Sequence, residues 1–520
     1  MRVKANLVKG LLYVLFLTLP VQAKYGGGSG EPNDPYLIYT AEQMNTIGAN
    51  WDDWDKDFKL MADIDLSSYT ETDFNIIGTG YLPAFTGVFD GNGHTISNFT
   101  YTSTDLPCVG IFGYIVGPDA RISNLGMIDP NVDAGTGIGV GSLAGWIEMG
   151  AITNCYVVDG SVSGEGHVGG LVGKNTGSIT DCYATGSVTG FSFVGGLVGS
   201  NTSRSGRRGG LYSGTIRNCY SSGSVTGDYS DVGGLVGRNN GTITNCYANG
   251  DVASTGRLVG GLAGSSHDTI TDCYTAGNVS GADEVGGLVG RNDGRVMASC
   301  SFASIKGRDE VGGLVGRNSY HGEIVDCYSN GNVLGQGYVG GLVGNNHLVV
   351  SRGGGQYYGT VRTCYSATAV SGDQQIGGLV GYDQGGGVRD CFWDISTSGQ
   401  TISDGGTGKT TAEMQMATTF LDAGWDFVAE SVNGTEDIWS ICEGTSYPRL
   451  VWQIPAGDFV CPDGFTIEDF LFFIEHWQDE NCDLSNDYCQ GTDLDFSGTV
   501  DADDLEILLE NWLAEGELEN

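Results

Sequence analysis

Basic residues and histidine are scarce in this chain. Its 520 residues include 24 Lys and Arg against 63 Asp and Glu, which gives a formal net charge of −39, and only six His. Nucleic acids and acidic membrane surfaces carry charge of the same sign, so we expect neither as a partner. The motif His-Glu-x-x-His does not occur, so we expect no metallopeptidase activity of that type.

Long apolar segments are missing as well. The one candidate, Leu11 to Leu19, is too short to span a membrane, so we predict no transmembrane segment. Three basic residues precede it, and Val21-Gln-Ala23 follows as a small-residue cleavage site, a combination typical of a secretory signal. We therefore predict a signal peptide at residues 1–23 and a mature protein that is secreted, extracellular or held at the cell surface.

Glycine, in contrast, is abundant, with 88 residues that recur in register. The repeated unit reads Val-Gly-Gly-Leu-Val-Gly, a polar turn, Ile-x-x-Cys-Tyr and Gly-x-Val, and its clearest copy runs from Val168 to Val188. Six of the eight steps between the cysteines of successive units are 27 residues, and two are 37. A fixed period of this size indicates a solenoid, a propeller or an array. The nine cysteines assigned to the unit are Cys155, Cys182, Cys219, Cys246, Cys273, Cys300, Cys327, Cys364 and Cys391.

Each unit contains three short apolar pieces bounded by turn residues, which predicts three strands. Three strands fit one coil of a parallel β-helix, in which coils are stacked about 4.8 Å apart. A propeller blade needs about 40 residues and a leucine-rich repeat needs leucine every two or three positions, so neither fits. We predict an all-β fold: a parallel β-helix solenoid of about 27 residues per coil, with a small C-terminal α-helical module of the EF type.

The ends of the solenoid are expected to be atypical, because a bare end would expose strand edges. Thr40 is predicted to cap a short helix, Ala41 to Ile47, that covers the first coil. We predict four regions after the signal peptide: an N-terminal cap with the first coils at 24–107, the repeat β-helix at 108–398, a closing cap at 399–455, and the C-terminal module at 456–520.

Residues that recur in register are expected to stack along the axis. The repeated Val and Leu should face the core, and the repeated Asn at the turn should bond from coil to coil. The cysteine column has two interpretations: a metal or redox array, or a column of small apolar side chains that fills a narrow core. The second is favoured because Leu125 takes the equivalent place in an earlier unit. Neighbouring coils lie within disulfide range, so pairing stays open.

The C-terminal region is far more acidic than the rest. Residues 456–520 contain 19 Asp and Glu and no Lys or Arg. Oxygen-bearing residues fall at the ligand positions of an EF-type loop, with Gly498 where the sharp turn is needed and an amphipathic helix directly afterwards. The loop therefore predicts a Ca²⁺ cofactor. Its predicted ligands are Asp493, Asp495, Ser497, Thr499 through its backbone carbonyl, Asp501 and Asp504.

The loop and its helix are duplicated within the region. Asp458 and Asp469 occupy the first and last positions of an earlier loop, but Val460 and Pro462 stand where oxygen ligands should be. This half-site is therefore degenerate, and its occupancy stays open. Four cysteines could crosslink the module in pairings that the sequence leaves open: Cys442, Cys461, Cys482 and Cys489.

Three resemblances follow from these motifs. The Val-Gly-Gly-Leu-Val-Gly units resemble GLUG-motif repeats of bacterial surface and adhesin-like proteins, and the lead-in Phe85 to Ile96 resembles coils of pectin-lyase-like β-helices. These imply a right-handed β-helix and extracellular life. The duplicated loop and helix resemble a type I dockerin, which implies calcium binding and a cohesin-like partner. The partner-reading positions would be Ile467, Glu468, Ala502 and Asp503, which differ from the Ser/Thr pairs usual in that family.

Two functions remain open from the sequence. The first is a non-catalytic binding or adhesion protein that presents the β-helix to an extracellular polysaccharide or surface protein, with the calcium module as its docking element. The second is a polysaccharide hydrolase or lyase. Its acid and base groups would come from four carboxylates on adjacent coils, where a solvated corner is the simpler interpretation: Asp283, Glu284, Asp309 and Glu310.

Overall fold

The computed structural model describes residues 24–205, 211–351, 354–428, 432–461, 464–482, 489, 492–495 and 497–518. The predicted signal peptide at 1–23 lies outside this range. The described chain is an all-β parallel solenoid of about 12 turns, and about 11% of it is helical. The predicted solenoid is therefore confirmed.

Each coil of the solenoid contributes to three parallel sheets. One complete coil consists of Val172–Asn175, then Ser178–Thr180 with Tyr183–Ala184, then Ser187–Gly195. Equivalent residues of successive coils lie side by side, as with Ile152 and Ile179. We name the three sheets after the residue that repeats in each: the asparagine sheet, the cysteine sheet and the valine sheet.

The asparagine sheet has ten strands that share the pattern Val-Gly-x-Asn or a variant of it. Its strands are Phe112–Val116, Ala144–Glu148, Val172–Asn175, Val198–Asn201, Val236–Asn239, Ala263–Ser266, Val289–Asn292, Val315–Asn318, Val343–Asn346 and Val380–Asp383.

The cysteine sheet has 24 strands, many of them very short because the Ile-x-x-Cys-Tyr segment bends before its cysteine. They are Tyr36–Ile38, Asp57–Leu60, Ile64–Asp65, Val88–Asp90, Thr95–Ser97, Arg121–Ile128, Ala151–Val158, Ser178–Thr180, Tyr183–Ala184, Thr215–Arg217, Tyr220–Ser221, Thr242–Thr244, Tyr247–Ala248, Thr269–Thr271, Tyr274–Thr275, Arg295–Met297, Cys300–Ser301, Glu323–Val325, Tyr328–Ser329, Thr360–Arg362, Tyr365–Ser366, Gly387–Arg389, Phe392–Asp394 and Thr407–Lys409.

The valine sheet has 16 strands and ends each coil at the Val-Gly-Gly corner. Its strands are Thr100–Thr102, Asn131–Asp133, Ile138–Val140, Ser161–Gly169, Ser187–Gly195, Val225–Gly233, Val252–Ser254, Arg257–Gly260, Asn278–Ser280, Asp283–Gly286, Ser304–Lys306, Asp309–Gly312, Asn332–Leu334, Gly337–Gly340, Ala369–Ser371 and Gln374–Gly377.

Three antiparallel pairs lie outside the solenoid sheets: Ser203–Ser205 with Leu211–Ser213, Val349–Val350 with Gln356–Tyr357, and Trp439–Ser440 with Arg449–Leu450. The first two are the ten-residue insertions that lengthen two of the repeats. The α-helices are Ala41–Ala49, Ile395–Ser398, Thr411–Met414, Ala417–Leu421, Ile467–Glu475 and Ala502–Leu518, and the 3-10 helices are Trp51–Asp53 and Val451–Gln453.

Buried amides form a ladder inside the asparagine sheet, as the sequence predicts. The Asn175 side chain donates to Asn201 Oδ1 over 2.9 Å, and Asn201 donates to Asn239 over the same distance. Ser266 replaces asparagine in the next coil and still accepts from Asn239 over 3.1 Å. Because an unpaired buried amide is costly, each coil stabilises the register of the next.

The cysteine column also faces the core, where its thiols are buried and unpaired. The backbone N–H of Cys155 points to Cys182 Sγ at 3.4 Å, and the same contact joins Cys182 to Cys219. This supports the interpretation of the column as small apolar filling. Within the described residues these thiols form no disulfide. The one group of side chains there that could hold a metal ion is made of aspartates in the C-terminal region.

The assignment of Cys300 to this column is wrong. Ser299 takes the inner position and accepts a hydrogen bond from the Cys273 backbone over 3.1 Å. Cys300 instead pairs in register with Tyr274 and Tyr328, in the column that carries the repeated tyrosine. Ser299 lies one residue closer to Cys273, and one residue farther from Cys327, than the period of 27 residues requires. The regular spacing of the cysteines therefore conceals the shift.

The first coil is covered as predicted. Thr40 caps the helix Ala41–Ala49 by accepting a hydrogen bond from the Gln43 backbone, and Met44 and Ile47 are buried against the solenoid. The region predicted as the closing cap, 399–455, has two parts. Thr407–Lys409 adds one further strand beside Phe392–Asp394. Much of the remaining cap covers the tyrosine side of the last coils, where its aromatic cluster packs on Tyr328, Tyr365 and Phe392.

The C-terminal region forms its own small core. Phe473, Val500 and Leu508 are buried there, together with Cys482 and Cys489. Two disulfides resolve the pairing that the sequence leaves open: Cys442–Cys461 and Cys482–Cys489. The first connects the cap to this region, and the second closes a short loop within it.

Candidate metal centre and outer surfaces of the solenoid

Three carboxylates converge in the predicted EF-type loop. The side chains of Asp493, Asp495 and Asp504 each place one oxygen within 4.8 Å of the others. Asp493 and Asp504 are buried, whereas Asp495 is exposed. Three carboxylates this close repel one another unless a cation lies between them. Their donor set, made only of oxygen, suits a hard cation such as Ca²⁺.

Backbone hydrogen bonds hold these carboxylates in place. Asp504, in the first turn of the helix Ala502–Leu518, accepts from Leu494 N over 2.6 Å and from Asp495 N over 3.0 Å through Oδ1. Asp493 accepts from the Gly498 N–H over 2.9 Å. Gly498 has φ +95°, which favours glycine at this turn. The local sequence therefore closes the loop through hydrogen bonds of its own backbone.

The other predicted ligands lie in the same loop. The Ser497 backbone donates to both Asp493 and Asp495, and Ser497 Oγ lies 3.2 Å from the Thr499 carbonyl oxygen. Asp501 accepts from the Asp503 N–H over 2.9 Å and stands outside the converging group. Burial raises the pKa of Asp493, and the hydrogen bond from Ser497 lowers the pKa of Asp495.

The earlier half of the duplication shows a similar set of backbone hydrogen bonds, with fewer potential ligands among its described residues. Asp469 Oδ1 accepts from the backbone of Phe459 and Val460, as Asp504 does from its own loop. Val460 brings no oxygen to the position that Asp495 fills in the second loop. Pro462 lies outside the described residues. Among the described residues, the structure thus repeats the loop closure at Asp469 without repeating the carboxylate cluster.

The four carboxylates considered for catalysis do not form one group. Asp283 and Asp309 are stacked in register, and Asp283 forms an ion pair with Arg308 at 2.6 Å. Glu284 and Glu310 follow them with φ of +53° and +54°, which turns their side chains toward the outer side of the asparagine sheet. The set therefore splits into two pairs that face different surfaces.

The glutamate pair lies beside Arg317, a residue that no sequence motif singles out. Arg317 Nη1 is 3.5 Å from Glu310 Oε2 and 3.9 Å from Glu284 Oε1, and Asn345 donates to Glu310 over 2.7 Å. Glu284 Oε2 has no hydrogen-bond partner among the described residues. Burial is the main reason why the pKa of both glutamates is raised, and Arg317 partly opposes that increase.

A ladder of tyrosines runs along the outside of the cysteine sheet. Neighbouring rings have centroids between 4.7 and 5.1 Å apart and planes within 14° of parallel. The rings are partly exposed, so their edges form a regular strip on the surface. The repeated Cys-Tyr pair in the sequence indicates a column of tyrosines. Only the register of the strands in the structure shows that their rings stack. The tyrosine ladder consists of Tyr156, Tyr183, Tyr220, Tyr247 and Tyr274.

Comparison with known proteins identifies the repeat. The GLUG motif matches residues 164–189, 228–253 and 308–334. Together with the fold, these matches support a GLUG-repeat β-helix protein. The chain is 35% identical over 150 residues to Halomucin of Haloquadratum walsbyi, and 35% identical over 193 residues to a protein of Evansella cellulosilytica named "Putative Gly-rich membrane protein". These matches cover 28% and 30% of this chain but only 2% and 22% of the two relatives.

One solved structure is also similar. It is described as a putative immunoglobulin A1 protease from Bacteroides ovatus, has 19% sequence identity and a TM-score of 0.36, and the match covers 82% of this chain and 96% of the other. In the part of the chain that the structure describes, no helix is long and apolar enough to cross a membrane.

Proposed function

We propose that the protein is a secreted or cell-surface binding protein that holds an extracellular polysaccharide or surface partner along its solenoid. The tyrosine ladder carries this proposal. It offers one identical aromatic edge and one hydroxyl per coil, at a spacing near 4.8 Å between Tyr220 and Tyr247. A linear array of equal contacts suits a linear polymer, because many weak contacts act together once the first has formed.

The chemistry of the ladder suits carbohydrate in particular. Tyrosine combines a large apolar ring with a polar hydroxyl, so it contacts both the C–H groups and the hydroxyls of a sugar. Stacking of the rings on one another also fixes their rotamers, so little side-chain entropy is lost when a ligand binds. The relatives named Halomucin and "Gly-rich membrane protein" support a location at the cell surface.

The C-terminal loop would hold Ca²⁺. Asp493, Asp495 and Asp504 would supply carboxylate oxygens, Ser497 its hydroxyl, and Thr499 its backbone carbonyl, while Asp501 would contact the ion through water. The ion would neutralise the mutual repulsion of the carboxylates and fix the loop against the helix Ala502–Leu518. The first loop lacks an oxygen ligand at Val460, so we propose one calcium ion per chain.

The calcium module would serve as a docking element. Its helix Ile467–Glu475 exposes three large apolar side chains, Ile467, Leu471 and Ile474, with Ile467 63% exposed. An apolar strip on a small module suits a helix-binding partner such as a cohesin-like domain. Glu468, Ala502 and Asp503 lie at the starts of the two helices, where the dockerin resemblance places partner contacts.

A second function, polysaccharide hydrolysis or cleavage by a lyase, is favoured by one observation. Glu284 and Glu310 are carboxyls with raised pKa on adjacent coils, and Glu284 keeps one oxygen without a partner in the described structure. A carboxyl of raised pKa can act as a general acid. The contact of both glutamates with Arg317 favours a structural role instead.

A panel of plant, algal and bacterial polysaccharides distinguishes the two functions. The purified chain is co-sedimented with insoluble polymers and run through gels containing soluble ones, while released sugars and unsaturated ends are measured in the same samples. The binding proposal expects retention on at least one polymer without release. Release that disappears in Glu310→Gln would establish the enzyme, and absence of retention would contradict polysaccharide binding.

A further inference from the structure

A cavity of about 390 Å³ lies where the cap meets the outer side of the cysteine sheet. One wall comes from the last coils of the solenoid, with Phe302, Asn330 and Tyr328, and the other comes from the cap, with Tyr447 and Arg449. This volume is within the range of small-ligand sites, and the lining combines aromatic rings with a few polar groups, as such sites do.

Phe302 is a large aromatic residue at a position where the neighbouring coils have a small or polar residue, and packing of the coil does not require it. Thr275, Ser301 and Ser329 are in register, so the residues that follow them, Ala276, Phe302 and Asn330, occupy equivalent places. A small or polar residue stands in both neighbouring coils, yet Phe302 is 41% exposed at the cavity. Its ring meets Tyr328 edge-on, with centroids 5.7 Å apart, which leaves a face for a ligand.

The walls of the cavity are fixed by hydrogen bonds between the cap and the solenoid. Tyr328 donates to Gln453 Oε1 over 2.9 Å, Tyr365 donates to the Pro448 carbonyl over 2.7 Å, and Tyr447 donates to Asp394 over 2.6 Å. These hydroxyls are therefore already used. A cavity whose walls are held in this way loses little entropy on binding a ligand.

Polar side chains of the lining remain available to a ligand, Arg449 and Asn330 among them. The side chains of Arg449 and Asn330 make no hydrogen bond or ion pair with any other residue that the structure describes, and both are exposed. A guanidinium presents several donors in a fixed plane, and an amide presents both donors and an acceptor. Together they match the neighbouring hydroxyls, or the carboxylate, of a sugar ring.

The tyrosine ladder leads to this part of the molecule. Tyr274, its last member, lies against the cap residue Trp452, with ring centroids 6.2 Å apart and planes 29° from parallel. Trp452 is fixed in turn by donating to the Ala298 carbonyl over 2.8 Å. Next to Trp452, Gln453 contributes to the cavity. The ladder therefore ends at the cap segment that also lines the cavity.

We propose that this cavity binds one or two sugar rings of a saccharide, stacked on Phe302 and hydrogen-bonded by Asn330 and Arg449. The proposal rests on the proposed polysaccharide-binding function and assigns its specific subsite. The ladder supplies contacts that are the same at each coil, whereas the cavity selects the sugar unit. A neutral sugar and a uronic acid would use the same ring stacking and differ in their dependence on Arg449.

Titration calorimetry of the full chain with cellotriose, xylotriose and trigalacturonate tests the assignment. We expect at least one trisaccharide to bind and Phe302→Ala to weaken its binding at least tenfold. Alanine already stands at the equivalent position 276, so the variant should melt at the wild-type temperature. Arg449→Gln should abolish the binding of trigalacturonate but weaken that of a neutral sugar only a fewfold. The matched control is Phe191→Ala, an exposed aromatic on the valine sheet.

Each outcome separates the subsite from the wider function. Retention on a polymer combined with trisaccharide affinity that is unchanged in Phe302→Ala would overturn the subsite and leave polymer binding intact. Equal losses in Phe302→Ala and Phe191→Ala would overturn it too, because the loss would then not be local. If none of the trisaccharides binds to the wild-type chain, the subsite is overturned, and the polymer panel decides the wider function.

Discussion

Gln453 of the cap donates a hydrogen bond from its side-chain amide to the sulfur of Cys300, over 3.1 Å. In this coil alone among those from 156 to 365, a cysteine stands where the tyrosine column continues on either side. The small side chain leaves room for the 3-10 helix Val451–Gln453 to approach the sheet. The exchange of tyrosine for cysteine therefore contributes to the contact between the cap and the sheet.

Restoring the tyrosine should displace the cap. In Cys300→Tyr the new ring would occupy the space of Gln453 and Trp452, and overpacking of this kind costs about 1–3 kcal/mol. We expect a lower free energy of unfolding and faster proteolysis within residues 399–455, measured by urea denaturation and limited trypsin digestion. Ser299→Cys, one residue away but in the inner column, is the matched control and should change stability by less than about 0.5 kcal/mol. An equally stable, protease-resistant Cys300→Tyr would contradict this account.

The one-residue shift at Cys300 shows where reasoning from the repeat reaches its limit. Period and residue type predict the three-sheet coil, the buried Val and Leu columns and the asparagine ladder. Apolar side chains must be buried, and a buried amide must find a hydrogen-bond partner, so each of these residues has only one possible face of the coil. Cysteine and serine are both small enough for the inner column, so composition alone does not distinguish Ser299 from Cys300. The contact of Cys300 with the cap distinguishes the two residues. Contacts between segments that are distant in sequence cannot be predicted from the period of the repeat.

The buried glutamates should make stability depend on pH in a defined direction. The folded-state pKa of Glu284 is raised above its ordinary value of 4.5, so the native chain binds more protons than the unfolded chain between these two values. Stability from this group is therefore complete below pH 4.5 and falls as pH rises through the raised pKa. Glu284→Gln imitates the protonated form, so it should raise the free energy of unfolding at pH 7.5 and leave it unchanged at pH 4.

Urea denaturation of wild type and variant at both pH values measures this difference. Glu165→Gln, an exposed glutamate on the valine sheet, is the control and should leave stability unchanged at either pH. If Glu284→Gln were destabilising at pH 7.5, the attraction to Arg317 would outweigh burial, and the proposed direction would be wrong.

Calcium should stabilise the C-terminal module through the second loop. At a concentration one hundred times the dissociation constant, binding adds about 2.7 kcal/mol. In a module of this size that corresponds to a rise in melting temperature of roughly 10–20 °C. Calorimetric melting with calcium and with chelator should show the rise in wild type and in Asp458→Ala, but not in Asp493→Ala with Asp504→Ala. Identical melting of wild type in both conditions would count against the metal centre.

The candidate sites differ in how much of their geometry could be predicted from the sequence. All six predicted calcium ligands lie in one loop, because that motif is local in sequence and its glycine and helix fix the geometry. The structure stacks Asp283 on Asp309 in register, and positive φ at Glu284 and Glu310 separates the four carboxylates into two pairs. The sign of φ at those positions is set by the corner of the coil, and it could not be predicted from the residue types.

The most direct test of the central claim is retention of a polymer by the tyrosine ladder. Co-sedimentation with the polysaccharide that binds best to wild type should be measured for Tyr220→Ala with Tyr247→Ala, and for the control pair Phe191→Ala with Tyr229→Ala, whose rings stack on the valine sheet. We predict that the first double variant loses most of its retention while the control keeps it. Equal retention by both double variants would contradict the account.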